Sequence, residues 1–146
     1  MGATHGDEFR LHAPPHRPGT LDLPDSGLDG VRVDLITAYP GADPAALPAA
    51  VDRGAHGIVL AGTGLGNAGP GHAEAVADLV ARGVPVVLAT RTLAGPVLGV
   101  YGHGGGADIL AAGAVAAGEL TPFQARILAA ALLAHRPDPH EFAARF

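Results

Sequence analysis

The sequence predicts an α/β domain of three layers (α/β/α), in which a roughly four-stranded parallel sheet lies between two layers of helices. Two observations lead to this fold class. Short apolar runs bounded by glycine, such as residues 58–61 and 84–89, are typical of strands buried on both faces of a parallel sheet. Segments with helical periodicity separate these runs, and strands that alternate with helices form right-handed βαβ units.

Each predicted element follows from its own local pattern. Strands are expected at residues 31–37, 56–61, 84–89 and 114–116, and the stretch 97–101 is compatible with a further short strand. Helices are expected at residues 44–53, 71–82, 108–112 and 122–134, with a short terminal helix that begins at 138–139.

Helix starts are the clearest local signals. Asp43 before Pro44 is a helix N-cap followed by a proline at the first helical position. Pro48 is expected to interrupt this helix, so that its first turn is separate from the regular part. Thr121 and Gln124 have the spacing of a capping box, which fixes the start of the helix over 122–134. That helix is apolar nearly all round and is therefore expected to be buried on more than one side.

Residues 1–30 differ from the rest of the chain. They contain four of the prolines and three of the eight histidines, without helical or strand periodicity. This pattern is typical of an extended or mobile linker. We therefore expect a linker or tail over residues 1–30, the end of an N-terminal domain, and an α/β domain over residues 31–146.

Composition excludes several classes of function. The chain has no cysteine, which excludes disulfides, thiolate metal sites and a cysteine nucleophile. All nine basic residues are scattered arginines, and the formal net charge is −5, so nucleic acid is not an expected partner. No apolar run approaches the ~20 residues of a membrane span. With no signal peptide visible either, a cytoplasmic protein is expected.

The glycine-rich stretch after the second predicted strand is the main candidate for a binding site. Gly62, Gly64 and Gly66 remove every second Cβ, so the backbone can turn sharply and be approached closely. Ligands of open α/β sheets bind at this position, outside the carboxyl ends of the strands. Asn67 ends the stretch, and its amide, which both donates and accepts, suits a small polar or amino-acid ligand. Alternatively, Asn67 is an ordinary residue of a left-handed turn.

The same stretch also fits the outline of a dinucleotide site. Residues 64–69 spell GxGxxG between a strand and a helix, and Arg91 follows the next strand, where it could meet the 2′-phosphate of NADP. The sequence Gly69-Pro70-Gly71 weighs against this interpretation, because it breaks the turn where the phosphate-binding helix should already run. A flexible turn without a ligand is the third alternative.

Other polar residues carry weaker signals. Tyr101 and His103 lie in a glycine-rich loop near the predicted strand ends, where either could contact a ligand. His12 and His16 are four residues apart, but the intervening prolines prevent a helical metal site. No catalytic triad, carboxylate pair or phosphate loop can be assembled. We therefore assign no catalytic residue, no metal and no cofactor.

Three ordered blocks resemble the C-terminal domain of the asparaginase/glutaminase family. They are residues 54–67 (GAHGIVLAGTGLGN), residues 83–91 (GVPVVLATR) with Gly95 and Val97 after them, and residues 118–128 (GELTPFQARIL). Their order and spacing match the family from about Val31 to Leu133, which is most of the chain.

The resemblance implies a two-domain amidohydrolase that releases ammonia from L-asparagine and often from glutamine. In such enzymes the N-terminal domain supplies a nucleophilic threonine, together with a second threonine, an aspartate and a lysine. The C-terminal domain packs against a neighbouring subunit and lends it substrate contacts, including an asparagine that Asn67 matches. The acidic residue that some members add from a later loop has no match here, where Tyr101 and His103 stand instead.

The resemblance does not extend to the catalytic N-terminal domain of these enzymes. The chain contains no lysine and no threonine turn of the family's type, so it cannot build the family's base alone. We therefore expect a domain that assembles and binds rather than catalyses, with Asn67, Gly66, His103 and Tyr101 as substrate contacts. Its expected partners are a second copy of itself, through the apolar helix, or an asparaginase N-terminal domain, with a small amino acid as ligand. A free-standing amino-acid-binding or regulatory module is the alternative.

Overall fold

Four parallel strands form the centre of the molecule in a computed structural model, which describes residues 2–5, 7–11, 20–135 and 138–146. A separate two-stranded sheet contains β1 Gly2–His5 and β2 Glu8–Leu11, and the central sheet contains β3 Val33–Thr37, β4 Gly57–Gly62, β5 Val86–Thr90 and β6 Val115–Ala116. The helices are α1 Ala46–Asp52, α2 His72–Ala81, α3 Gly106–Ala111, α4 Pro122–Ala134 and α5 Pro139–Ala143. The larger sheet has the order β3-β4-β5-β6, and all its pairs are parallel.

Helices cover both faces of this sheet, which confirms the predicted three-layer α/β fold. Alternate residues of β4 and β5 point to opposite faces. Leu60 and Leu88 pack with the buried side chains of α1, α2 and α3. Val59 and Val87 pack on the other face with the alanines of α4 and with Phe142 of α5. Every residue of β4 and β5 is buried, as expected for central strands of a parallel sheet.

The capping box predicted for α4 is confirmed, whereas the N-cap predicted for α1 is wrong, because the residue before that helix is Ala45 and not Asp43. Both hydrogen bonds of the capping box at Thr121 and Gln124 are present, and a second capping box begins α5 at Asp138. Pro48 does not interrupt α1, because it lies in the first turn, where a main-chain donor has no partner within the helix. The Asp43 carboxylate accepts a hydrogen bond from the Ala45 amide at 2.9 Å, in the turn that precedes the regular helix.

Two further predictions differ from the structure. Residues 97–101 do not form a strand, because Val97 and Leu98 donate to the carbonyls of Gly118 and Leu65, which belong to separate loops. Within the segment expected to lack strands, β1 and β2 pair as an antiparallel hairpin, with Thr4 opposite Phe9. His12 and His16 lie outside the described residues. None of the described helices has the length and apolar character needed to span a bilayer.

Candidate functional site at the carboxyl edge of the sheet

The glycine-rich loop after β4 is a closed turn. The Thr63 amide donates to the Asn67 carbonyl at 2.7 Å, and the Asn67 amide donates back to the Thr63 carbonyl at 2.8 Å. A Cβ at Gly62 would lie 2.5 Å from the carbonyl carbon of Gly66, and Gly66 itself has a φ of 110°. Glycine is therefore required at both positions for the turn to close above the strand.

Thr90, the last residue of β5, holds this turn from beneath. Its side chain is buried, and its hydroxyl donates to the carbonyl of Gly64 at 2.5 Å. The same hydroxyl accepts from the amide of Thr92 at 3.2 Å. A buried hydroxyl without partners would be costly, and the bond to Gly64 ties the loop after β4 to the end of β5.

A second loop, residues 101–106, packs directly against the first. The amide of Gly69 donates to the Gly104 carbonyl at 2.9 Å, and the amide of Gly104 donates to the Asp108 carboxylate at 2.8 Å. A Cβ at Gly104 would lie 2.5 Å from the carbonyl carbon of Gly69. The two loops approach so closely that only glycine fits at position 104, and together they form the carboxyl edge of the sheet.

Asn67 joins the two loops through its side chain. Its amide oxygen accepts from the main-chain N–H of Gly106, the first residue of α3, at 3.0 Å. The oxygen thus satisfies one of the free donors at the start of that helix. Within the described part of the chain, the side-chain NH2 of this half-buried residue makes no hydrogen bond, which leaves two donors for a ligand.

The structure brings the other predicted site residues to the same edge. Gly66 is buried beneath the turn, whereas Tyr101 and His103 have exposed side chains in the second loop. His103 has a left-handed backbone with a φ of 53°, which is uncommon for a residue other than glycine. Together with Glu74 and Asp108, His103 lines a shallow cavity beside the start of α2. Contacts between the two loops therefore bring together four residues that span 37 positions of the sequence, namely Gly66, Asn67, Tyr101 and His103.

Four of the six main-chain donors of the GxGxxG stretch are already used within the chain. The amides of Gly66 and Asn67 both donate to Thr63, and those of Ala68 and Gly69 both donate to Gly104. A dinucleotide site needs such N–H groups to face the pyrophosphate at the start of a helix. Here α2 begins only at His72, after the left-handed Gly71. This geometry does not favour the NADP interpretation.

Sequence reasoning missed two buried polar residues of this edge, Thr90 and His72. His72 opens α2 and is 1% exposed, with Nδ1 lying 3.3 Å from the carbonyl of Gly69. A polar residue that ends an apolar strand is a recognisable signal for Thr90. For His72 no signal was present, because its burial depends on how α2 packs. Among the described residues, no three histidine, aspartate or glutamate side chains converge as metal ligands would.

Comparisons with known proteins show which family the chain resembles. Residues 32–146 match the sequence model of the glutaminase/asparaginase C-terminal domain. A probable L-asparaginase of Deinococcus radiodurans is 42% identical over 121 residues, which is 82% of this chain and 34% of the relative. One of the subunits of the glutamyl-tRNA(Gln) amidotransferase of Aeropyrum pernix is 39% identical over 98 residues, which is 66% of this chain and 22% of that protein.

A solved structure shows the same arrangement. The probable cytoplasmic L-asparaginase of Campylobacter jejuni superposes with a TM-score of 0.67 at 28% identity, over 79% of this chain and 36% of that chain. The chain thus spans about a third or less of the length of these relatives. The segment that the family model matches, residues 32–146, includes the whole parallel sheet and both loops of its carboxyl edge. The chain belongs to the glutaminase/asparaginase C-terminal domain family.

Proposed function

We propose that this chain is the C-terminal part of an L-asparaginase-like amidohydrolase, in which it contributes substrate contacts and subunit assembly to a neighbouring active site. The substrate class is an amino acid with a side-chain amide, L-asparagine or L-glutamine. The observation that carries the proposal is the Asn67 side chain, whose oxygen is fixed by Gly106 while its NH2 group is left to bind a ligand. The chain does not catalyse hydrolysis by itself.

The rigidity of the carboxyl edge supports a binding role. Hydrogen bonds from Thr90, Gly69 and Gly106 hold the two loops before any ligand arrives. A preorganised donor binds more tightly because less conformational entropy is lost on binding. The donors of Asn67 suit the carboxylate or the amide oxygen of an amino acid, because both are hydrogen-bond acceptors.

Exposed apolar side chains beside this edge support a covering partner. Leu93 is fully exposed, and Leu98, Val100 and Tyr101 are each about half exposed. Several large apolar side chains in one exposed region are typical of an interaction surface. The partner that fits is the N-terminal half of an asparaginase-type enzyme, which would bring the nucleophilic threonine and the lysine that this chain lacks.

We propose that a residue of the second loop replaces the acidic substrate contact of some family members. Tyr101 and His103 are the candidates, since both are exposed in the loop that meets Asn67. Neither is a carboxylate, so neither would attract the substrate ammonium group by charge as the acidic residue does. Their contribution would be a hydrogen bond that the ammonium group donates to the tyrosine hydroxyl or to an imidazole nitrogen.

A domain exchange tests this function. Residues 32–146 would replace the matching C-terminal segment of the Deinococcus radiodurans relative, and ammonia release from L-asparagine and L-glutamine would be measured. The expected result is turnover by the exchanged enzyme, with kcat/KM lowered about tenfold by Asn67→Ala, the equivalent of one lost polar contact. Asp78→Ala, at an exposed position of α2 outside the edge, is the matched control. The unexchanged relative shows that the assay works.

Two results would contradict the proposal. One is a folded exchanged enzyme that releases no ammonia while the unexchanged relative does. The other is an exchanged enzyme in which Asn67→Ala has no effect. Binding of the substrate amide would then have to involve other residues.

A free-standing amino-acid-binding module is the second candidate function. The observation in its favour is that the two loops are already joined without another chain. L-Asparagine or L-aspartate should then raise the melting temperature of the isolated chain, because a ligand that binds only the native state stabilises it. A shift with NADP alone would instead support the dinucleotide interpretation. The cytoplasmic location remains a prediction.

A further inference from the structure

His103 has a backbone conformation that side chains rarely adopt. Among the residues that the structure describes, it is the one residue other than glycine with a positive φ, 53°. Such a residue persists only where its surroundings fix it. Glycine occupies positions 102, 104, 105 and 106, so the loop around His103 has more conformational freedom than an ordinary loop. Specific contacts must therefore hold this loop in shape.

Main-chain hydrogen bonds hold two points of the loop. The Ala107 amide donates to the Tyr101 carbonyl at 3.0 Å. The Gly104 carbonyl faces the first loop, where it accepts from the Gly69 amide at 2.9 Å. These bonds leave the Gly104 amide, the group that directly follows His103, to be fixed by a side chain.

The Asp108 carboxylate supplies that contact. Its Oδ2 accepts from the Gly104 amide at 2.8 Å, a short distance that is typical of a bond to an ionised group. Its Oδ1 lies near Gly102, where a Cβ would be 3.5 Å away. Within the described part of the chain, no other side chain bonds to the main chain of residues 101–105. The carboxylate therefore lies beside both neighbours of His103.

The position of Asp108 serves the loop rather than the helix. Asp108 is the third residue of α3, where a side chain usually accepts from the amide of the residue before the helix. That residue is Gly105, whose amide is already bonded within the loop at 3.1 Å. Asp108 instead reaches one residue further back, to Gly104. The free Gly106 amide of the helix is satisfied by Asn67.

We propose that Asp108 is a positioning residue for substrate binding, which holds His103 through the Gly104 amide in the conformation that meets the substrate. This deepens the proposed function and rests on it, because it assigns the substrate contact of the second loop to His103. Without the bond, the glycine-rich loop would have to be ordered when substrate binds, at a cost in entropy. The catalytic groups come from the other domain, so substrate binding should weaken while the chemical step is retained.

The domain-exchanged enzyme measures this effect through KM and kcat for L-asparagine. Asp108→Ala removes the acceptor and should raise KM about tenfold, the equivalent of one lost hydrogen bond, with kcat changed by less than about twofold. Asp108→Asn keeps an oxygen acceptor without the charge and should restore KM to within about twofold. Asp78→Ala is the control for loss of a surface carboxylate. A merely structural role would reduce the amount of folded enzyme, which lowers kcat but not KM.

A double-mutant cycle tests whether Asp108 acts through His103. His103→Gly removes the imidazole but suits a left-handed backbone, and it should also raise KM. In that background Asp108→Ala should have no further effect on KM, because no side chain is left to position. If the two effects multiply, Asp108 acts by another route and the proposal is overturned. The proposal is also overturned if Asp108→Asn raises KM as much as Asp108→Ala, since the charge and not the hydrogen bond would then matter.

Amide hydrogen exchange of the isolated chain tests the contact without any substitution. Corrected for intrinsic rates, the Gly104 amide should exchange at least about tenfold more slowly than the His103 amide, which makes no hydrogen bond within the described part of the chain. Equal exchange would show that the bond to Asp108 does not form in solution. That result would overturn the proposal even if Asp108→Ala failed to fold.

Failure of this inference can be told apart from failure of the proposed function. An active exchanged enzyme whose KM does not respond to Asp108→Ala overturns the positioning role and leaves the function of the domain intact. A folded exchanged enzyme that releases no ammonia contradicts the proposed function, and the positioning role fails with it.

Discussion

The carboxyl edge of the sheet and the outer face of α4 both expose apolar side chains, but they are held in different ways. At the edge, main-chain atoms of two loops meet with no room for a Cβ at Gly62 or Gly104. On α4, regular helix hydrogen bonds fix the backbone, and the side chains of Phe123 and Ile127 are more than half exposed in the part of the chain that the structure describes. The edge therefore depends on steric fit within the chain, whereas the α4 face is free to meet another molecule.

This difference separates folding from association. Substitutions at the edge should lower the free energy of unfolding, because they disturb contacts that the chain makes with itself. Substitutions on the outer face of α4 should leave the free energy of unfolding of the isolated chain nearly unchanged and alter only its association.

Gly104→Ala is expected to have the largest effect. The new Cβ would strain a left-handed backbone, at a cost of about 1–2 kcal/mol, and would also overlap main-chain atoms of Gly69, adding about 1–3 kcal/mol. Gly83→Ala is the matched control, because Gly83 has nearly the same φ, 79° against 82°, but open space around it. Urea unfolding measures both variants. If both variants are destabilised equally, the contact between Gly104 and Gly69 contributes nothing to the free energy of unfolding.

Thr90→Val should have an intermediate effect. It keeps the shape of the side chain but removes the hydroxyl that donates to the Gly64 carbonyl and accepts from the Thr92 amide. We expect a loss of about 1–3 kcal/mol in the free energy of unfolding, because buried polar groups lose their partner. Thr90→Ser retains the hydroxyl and should be the milder variant. The reverse order in urea unfolding would mean that the methyl group matters more than the hydrogen bonds.

Asn67 allows its structural and binding roles to be separated. Asn67→Ala removes the acceptor for the Gly106 amide and should destabilise the chain by about 1 kcal/mol. Asn67→Asp keeps an oxygen acceptor at the start of α3 and should preserve stability, but it lacks the NH2 donors and should lose substrate affinity. Chemical denaturation measures the first property and the domain-exchanged enzyme the second. Full activity of Asn67→Asp would disprove the donor role.

Acid should weaken the ion pair of Arg32 and Asp34, which lies neither at the carboxyl edge nor on the outer face of α4. Arg32 donates to both carboxylate oxygens of Asp34, at 2.8 and 2.7 Å, and these hydrogen bonds lower the pKa of Asp34. Since its folded pKa lies below the unfolded value of about 3.9, the pair stabilises the fold fully above that pH. The stabilisation is lost as the pH falls through the folded pKa. Urea unfolding at pH 7 and pH 3 should show a smaller pH dependence for Asp34→Asn and also for Arg32→Gln.

Phe123→Ser should have the smallest effect on the free energy of unfolding. Phe123 is largely exposed, so we expect a change within about 0.5 kcal/mol in urea unfolding of the dilute chain. Self-association of the chain should nevertheless weaken. A large loss of stability at low concentration would show that Phe123 packs within its own chain, and the separation between the two surfaces would fail.

The sheet could be predicted from the sequence because buried parallel strands leave short apolar runs. Asn67 could be placed at the carboxyl edge for the same reason, since a loop that follows β4 must lie there. The contact between Gly104 and Gly69 could not be predicted, because it joins residues 35 positions apart through the main chain alone. The hydrogen bond from the Thr90 hydroxyl to the Gly64 carbonyl spans 26 positions and was missed because it also joins residues far apart in the sequence.

The errors in the secondary structure also have physical causes. Residues 97–101 are rich in apolar and β-favouring side chains, but β6 already pairs with β5 on that side of the sheet. Their amides bond to loops instead. The hairpin of β1 and β2 was hidden by the high proline and histidine content of the first 30 residues. Only the turn dipeptide Gly6-Asp7 in the sequence could have indicated it.

Ammonia release from L-asparagine and L-glutamine by the purified chain alone tests the central claim most directly. The chain has no lysine, and no catalytic constellation can be assembled from its residues, so we expect no turnover above the rate without protein. Turnover that follows the chain through purification would mean that a nucleophile lies among its own threonines. The chain would then be a catalyst in its own right and not only a domain that binds and assembles.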